Sequence, residues 1–107
     1  EARKAAIEAA TIYATEIPFQ VMETSCNSME VAQAMLQDGL QSSLSDAGVG
    51  ILCARAAVVG AYFNVRINAK DIKDRKFAED ILSRAALIYD KTLQIEKETI
   101  ELIDSKM

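Results

Sequence analysis

Three polar side chains stand out by their position: Asp46, Asn64 and Asn68, in a stretch from Ser45 to Asn68 that is otherwise apolar or small on nearly every side. A helix that is apolar all round is normally buried, and a polar group inside it needs a partner or a ligand. Asn64 and Asn68 are four apart and share one helix face. Asp46 lies about five turns before Asn64, so it points the same way from the opposite end, ~27 Å along the axis. One small ligand cannot touch both ends of such a helix. A second subunit or a further segment would have to bridge them, or they serve different sites. Structural roles compete for all three. Ser45 or Asp46 can cap the helix, where a carboxylate also meets the positive end of the helix dipole, and an asparagine pair can fix helix register.

Composition narrows the chemistry further. The chain has 107 residues, a formal charge of −4 and no histidine. There is no basic footprint for nucleic acid, and the usual general base and commonest metal ligand are missing, so no metal is expected. Cys26 and Cys53 form no C-x-x-C and suit small hydrophobic positions better than a disulfide or a nucleophile. No signal peptide is visible. Arg55 and Arg66 interrupt the one long apolar run, which argues against a membrane span. A cytoplasmic protein is the default expectation.

The elements that must position these residues are helices. Half the residues are hydrophobic, with only four glycines and one proline, which favours an all-α fold in one domain over residues 1–107. From Ala2 to Asp38, apolar and small residues recur at intervals of three or four, from Ile7 through Val21 to Met35. Pro18 interrupts that helix, and because the stripe stays in phase beyond it, a kinked helix is expected rather than a break. Thr24, Ser25, Asn27 and Ser28 read as a solvated face, with a pocket wall as the alternative. Gly39 suits the C-terminal cap, and the loop to Leu44 lacks the glycine pattern of a phosphate-binding loop. Asp74 is the natural cap of a last helix to Ser105. There Ile81, Ala85, Ile88, Thr92, Ile95, Thr99 and Leu102 make a 3.5-residue seam, for the chain's own first helix or for another subunit. The abrupt helical start at Glu1 suggests a chain that begins inside or just before a helix. The expectation is an antiparallel bundle of three long helices, part of a larger helical domain.

Resemblance carries further than pattern. Ser45-Asp46-Ala47-Gly48-Val49, then Gly60-Ala61-Tyr62-Phe63-Asn64-Val65-x-Ile67-Asn68, then Lys70-Asp71-Ile72-x-Asp74 leading into Phe77, resemble the formiminotransferase-cyclodeaminase and methenyltetrahydrofolate cyclohydrolase family. Ile17-Pro18 is similar to that family's aliphatic-proline kink. The likeness covers about residues 5–95. The family's glycine-rich P-G-G-G-S segment, on its N-terminal side, does not occur here, so the chain resembles the C-terminal half of such a domain; separately, Gly39-Leu40 stands where the family has Gly-Asn.

The resemblance implies a dimer-forming enzyme of folate one-carbon metabolism, acting on a tetrahydrofolate derivative as substrate and needing no metal. The cyclodeaminase converts formiminotetrahydrofolate to methenyltetrahydrofolate with loss of ammonia, and the cyclohydrolase hydrates the methenyl form. Both move a proton at a nitrogen beside a developing tetrahedral carbon. Without histidine, a carboxylate is the general acid or base, and Asp46 is the candidate, next to Ser45. Asn64 and Asn68 would orient pterin or amide groups, Tyr62 would stack on the pterin, and Arg66 or Lys70 would pair the substrate's glutamate carboxylates. The competing class is a non-catalytic helical oligomerisation or interaction module. A homodimer is expected under either, because two neighbouring helices cannot cover an all-sided apolar one. Large obligate interfaces bury on the order of 2,000 Å², the scale expected here, and the last helix's seam is a second surface for that contact.

Overall fold

The computed structural model describes residues 1–39 and 44–107, so the middle of the loop expected over residues 39–44 lies outside the described residues. Three helices account for nearly all of them: α1 (Ala2–Asp38), α2 (Leu44–Ala69) and α3 (Arg75–Lys106). No strand occurs among the described residues. They form an elongated bundle of 61 × 17 × 17 Å. The cross-helix contacts fix its directions. Asn68 meets Ala14, so α2 runs against α1. Gln33 meets Glu98 and Lys91 pairs with Glu30, so α3 runs along α1 and against α2.

Helix α1 continues unbroken for 37 residues across Pro18. Its buried residues Thr15, Phe19, Met22, Cys26, Met29 and Leu36 keep a spacing of three, four or seven on both sides of the proline. A single face therefore meets the core from Thr15 to Leu36. It is not the expected stripe: Ile7, Val21 and Met35 are all exposed, because the larger Phe19, Met22 and Met29 turn the adjacent face inward. Thr24, Asn27 and Ser28 are exposed, as a solvated face requires. Gly39 takes the C-cap position but with φ −83° and ψ 173°, an extended rather than left-handed cap. A glycine is still favoured there, because a Cβ would overlap the Met35 carbonyl oxygen.

The start of α2 differs from expectation. Its first residue is Leu44, which is buried, so Ser45 and Asp46 stand inside the first turn instead of at the cap. The carboxylate still faces the positive end of the dipole from there. Asp74 does cap α3: its Oδ1 accepts the Phe77 N–H at 3.1 Å.

The seam of α3 is consumed within the chain. Ile81, Ala85, Thr92, Ile95 and Thr99 are all buried against α1 and α2, so this seam is not a surface for a second subunit. The core is closed by Met22, Met29, Ile51, Val58 and Val65, each at most 1 % exposed. Thr92 and Thr99 bring buried hydroxyls with no hydrogen-bond partner into this core.

One end of the bundle is tied by polar contacts to backbone. Arg75 Nη1 donates to the carbonyls of Ala69 and Ile72, both at 3.0 Å. Glu8 of α1 accepts the Lys73 N–H at 3.0 and 3.1 Å with its two oxygens, and the Asp74 N–H at 3.0 Å. Those two backbone N–H groups hold the Glu8 carboxyl below its ordinary pKa. Its contribution is therefore complete above the unfolded value of about 4.3 and is lost as pH falls through the lower folded value. In acid unfolding followed by helical circular dichroism, Glu8→Gln should flatten the decline of stability below that point. A decline of unchanged slope would remove Glu8 from the cause.

Candidate functional site

Residues of α2 divide between its two long sides because the helix advances 100° per residue. Leu44, Gly48, Ile51, Val58, Ala61, Val65 and Ala69 turn inward. The other side is uncovered: Val49 is 60 % exposed, Phe63 53 % and Ile67 61 %. The expectation of a helix buried all round fails on that side. Cys53 is exposed with it, whereas Cys26 is buried as a small hydrophobe; both are free thiols.

Asn64 and Asn68 sit at the border between these sides, and α1 meets them there at its proline. Together with Ala14, Ile17, Pro18 and Val21 of α1, and Ala57 and Ala61 of α2, they line a groove of about 410 Å³. Local sequence explains its shape. Pro18 carries no N–H and only a compact ring, and the two alanines floor the groove because they extend no further than Cβ. Asn68 Nδ2 donates to the Ala14 carbonyl at 3.0 Å, while Asn64 is exposed and makes no hydrogen bond among the described residues. The groove thus pairs an apolar lining with two amides at one end.

The remaining candidates fall elsewhere. Tyr62 lies across α2 from the asparagines, its ring stacked on Tyr89 with centroids 4.8 Å apart at 28°. Arg66 lies over the Tyr62 ring at 5.4 Å from its centroid, so aromatic stacking takes the place of an acidic partner. Neither reaches the groove. Ser45 lines a smaller apolar recess of about 180 Å³ with Thr99, Ile103 and Met107. Asp46 is exposed in the first turn of α2, and by helix geometry it stands ~27 Å along the axis from Asn64. Within one chain, then, the asparagines converge and Asp46 does not join them.

A second groove of about 460 Å³ between α1 and α3 is more polar, but its side chains pair with one another. Lys91 bridges to Glu30, and Gln33 and Gln94 both donate to Glu98 at 3.2 Å. Among the described residues no group of three or more Cys, Asp or Glu side chains is gathered as a metal ion would need. By length and composition α2 could also cross a membrane. In this bundle its inner side instead packs on α1 and α3, and Arg55 pairs with Glu96 at 3.1 Å.

Sequence reasoning missed Pro18, Ala57 and Ala61 as walls of the site. One signal was available: an interior proline frees the carbonyl four residues before it, and that carbonyl needs a donor.

Fold and groove together define an all-helical chain with an amide-edged, proline-walled cleft between two antiparallel helices. The formiminotransferase-cyclodeaminase family profile matches residues 1–87, and the chain belongs to that family. It is similar to the methenyltetrahydrofolate cyclohydrolase of Methylorubrum extorquens, with 31% identity over 106 residues, covering 99% of this chain and 51% of that protein. It is 29% identical over 106 residues to the formimidoyltransferase-cyclodeaminase of Gallus gallus, covering 99% of this chain and 20% of that one. The Rattus norvegicus formimidoyltransferase-cyclodeaminase is 35% identical over 89 residues, covering 83% of this chain and 16% of that protein. The chain therefore spans about half the length of the bacterial relative and a smaller share of the two animal ones.

Proposed function

We propose that this chain serves folate one-carbon chemistry of the cyclodeaminase or cyclohydrolase type, and that its folate site is the groove at Pro18. The observation that carries this is the exposed Asn64 amide, unpaired at the edge of an apolar cleft in a family whose named members act on folates. A flat heterocycle with an amide-like edge matches an apolar cleft with a free amide at its rim.

In the cyclodeaminase reaction a folate nitrogen adds to the formimino carbon, the ring closes, and the exocyclic nitrogen departs as ammonia. A carboxylate that takes the proton from the attacking nitrogen and returns it to the leaving nitrogen serves both halves. Solvent supplies the further proton that ammonia needs. In the cyclohydrolase reaction the same group takes a proton from the adding water and gives it to the ring nitrogen released as the carbon–nitrogen bond breaks; the remaining hydroxyl proton leaves to solvent as the formyl C=O forms. Asp46 is assigned that role, with Asn64 orienting the substrate.

A homodimer supplies the missing proximity. Asp46, Gly50, Cys53, Ala57, Gly60 and Asn64 form a stripe along the uncovered side of α2, and all but Asp46 are uncharged. The stripe is palindromic about residue 55: position 46 mirrors 64, 50 mirrors 60, and 53 mirrors 57. Two copies of α2 packed antiparallel about a two-fold axis would set each Gly50 against the other chain's Gly60. Asp46 of each would then face Asn64 of the second copy, completing two grooves. A parallel pairing would instead oppose the two Asp46 carboxylates. Since the α3 seam is already used, the interface rests on α2 and should lie nearer 1,000 Å² than 2,000 Å², about the lower bound for a specific contact.

A non-catalytic interaction module remains the second reading, favoured by Asn68, whose amide is bound to backbone as a purely structural polar group would be. Calorimetric titration with methenyltetrahydrofolate separates the two. Saturable binding is expected, lost in Asn64→Ala and kept in Arg66→Ala, which lies on the opposite side of α2. Absence of saturable heat would reject the folate site.

A further inference from the structure

Pro18 removes one rung of the α1 ladder, because it has no N–H to give to the Ala14 carbonyl four residues before it. That oxygen is not left open. Asn68, at the far end of α2 and 54 residues later in the chain, donates to it at 3.0 Å. Just upstream, Thr11 and Thr15 each turn their hydroxyl back onto the carbonyl four residues before, at 2.9 and 2.8 Å. Such back-bonding tends to bend a helix, so residues 7–18 are where the α1 ladder is most altered.

We infer that Asn68 is the surrogate donor for Pro18, a positioning residue that clamps the proline turn of α1 to the end of α2. A carbonyl oxygen only accepts, so the Asn68 amide must turn its NH₂ to Ala14 and can offer its oxygen elsewhere. The two asparagines thereby take different roles despite sharing a helix face. Asn64 keeps donor and acceptor for a ligand, whereas any ligand edge that meets the Asn68 oxygen must itself carry an N–H or O–H. The ligand roles rest on the folate reading of the groove; the clamp does not.

The clamp predicts an asymmetry in a double-mutant cycle read by thermal unfolding without ligand. With Pro18 in place, Asn68→Ala should lower Tm by on the order of 5 °C, the shift that about 1 kcal/mol produces in a domain of this size. In the Pro18→Ala background, residue 18 regains an N–H that can bond Ala14 itself, so Asn68→Ala should cost much less. Equal losses in the two backgrounds, or no loss in either, would overturn the inference. Should Asn68→Ala not fold, Asn68→Asp provides the reading. Its carboxylate cannot donate, but its protonated form can, so its stability deficit should shrink as pH falls through the carboxyl pKa. A deficit that does not change with pH counts against the clamp. Because no folate is present, a failed cycle leaves the titration of the groove to stand or fall alone.

Discussion

Asp46→Asn should reduce turnover of the folate substrate by about 10²–10⁴-fold, the range that a positioned general acid or base contributes. Folate binding in the groove should persist, because Asn64 and Pro18 are unaltered. The change is nearly isosteric and keeps the first turn of α2 intact, and Asp46 is exposed with no hydrogen bond to the described residues. Replacing a carboxylate in a first turn weakens its interaction with the helix dipole by only about 0.3–1 kcal/mol. A collapse of activity with unchanged helix content would therefore report proton transfer and not unfolding. Full activity in Asp46→Asn, measured by the absorbance of the methenyl form, would assign the proton to another group.

Gly60→Leu should convert the dimer to monomers, while Gly60→Ala should show opposite signs in the two states. Within one chain a Cβ at Gly60 meets nothing within 4 Å, and the same holds at Gly50. A glycine in a helix interior costs roughly 0.5–1 kcal/mol relative to alanine, and no contact in the single chain offsets that cost. Alanine should therefore stabilise the isolated bundle. Across the antiparallel pair, where Gly60 faces Gly50 of the second copy, a methyl group intrudes and a leucine side chain separates the helices. Sedimentation at micromolar concentration should show a dimer for the wild type and an 11.7 kDa species for Gly60→Leu. A wild-type monomer, or a Gly60→Leu dimer, would remove the palindromic pairing. Vesicle binding by the wild-type monomer would indicate that lipid covers the face instead.

Local chemistry was the legible part of the sequence. Asp74 declared the start of α3 because an Asx cap acts within three residues of itself. The helical passage of α1 through Pro18 was readable from a periodicity that continues on both sides, but the face it buries was not: the stripe from Ile7 through Val21 to Met35 is exposed, and the buried one runs from Thr15 through Cys26 to Leu36. What depended on pairing between helices was not readable. The α3 pattern from Ile81 to Leu102 looked the same whether its partner was α1 or another chain, and only packing assigned it inward. Asn68 looked equivalent to Asn64 because a shared helix face says nothing about which amide meets a backbone oxygen. Tyr62 and Arg66 stood within the resembling motif, yet two residues of helix carry them to the other side of α2, against Tyr89. Ser45 and Asp46 appeared to be caps, since less than a turn separates a cap from a first-turn residue, and Leu44 before them is already helical.

Complementation between two inactive variants tests the shared site most directly. Asp46→Asn and Asn64→Ala, each purified and nearly inactive alone, would be mixed, allowed to exchange subunits and assayed for turnover of the methenyl folate. In a mixed dimer one groove receives both substitutions and the other receives neither, so activity should return on mixing. Recovery toward roughly a quarter of the wild-type rate is expected, since random exchange makes half the dimers mixed and each holds one intact groove of two. No recovery, with dimers forming and exchanging normally, would contradict a site in which one chain supplies Asp46 and the other Asn64.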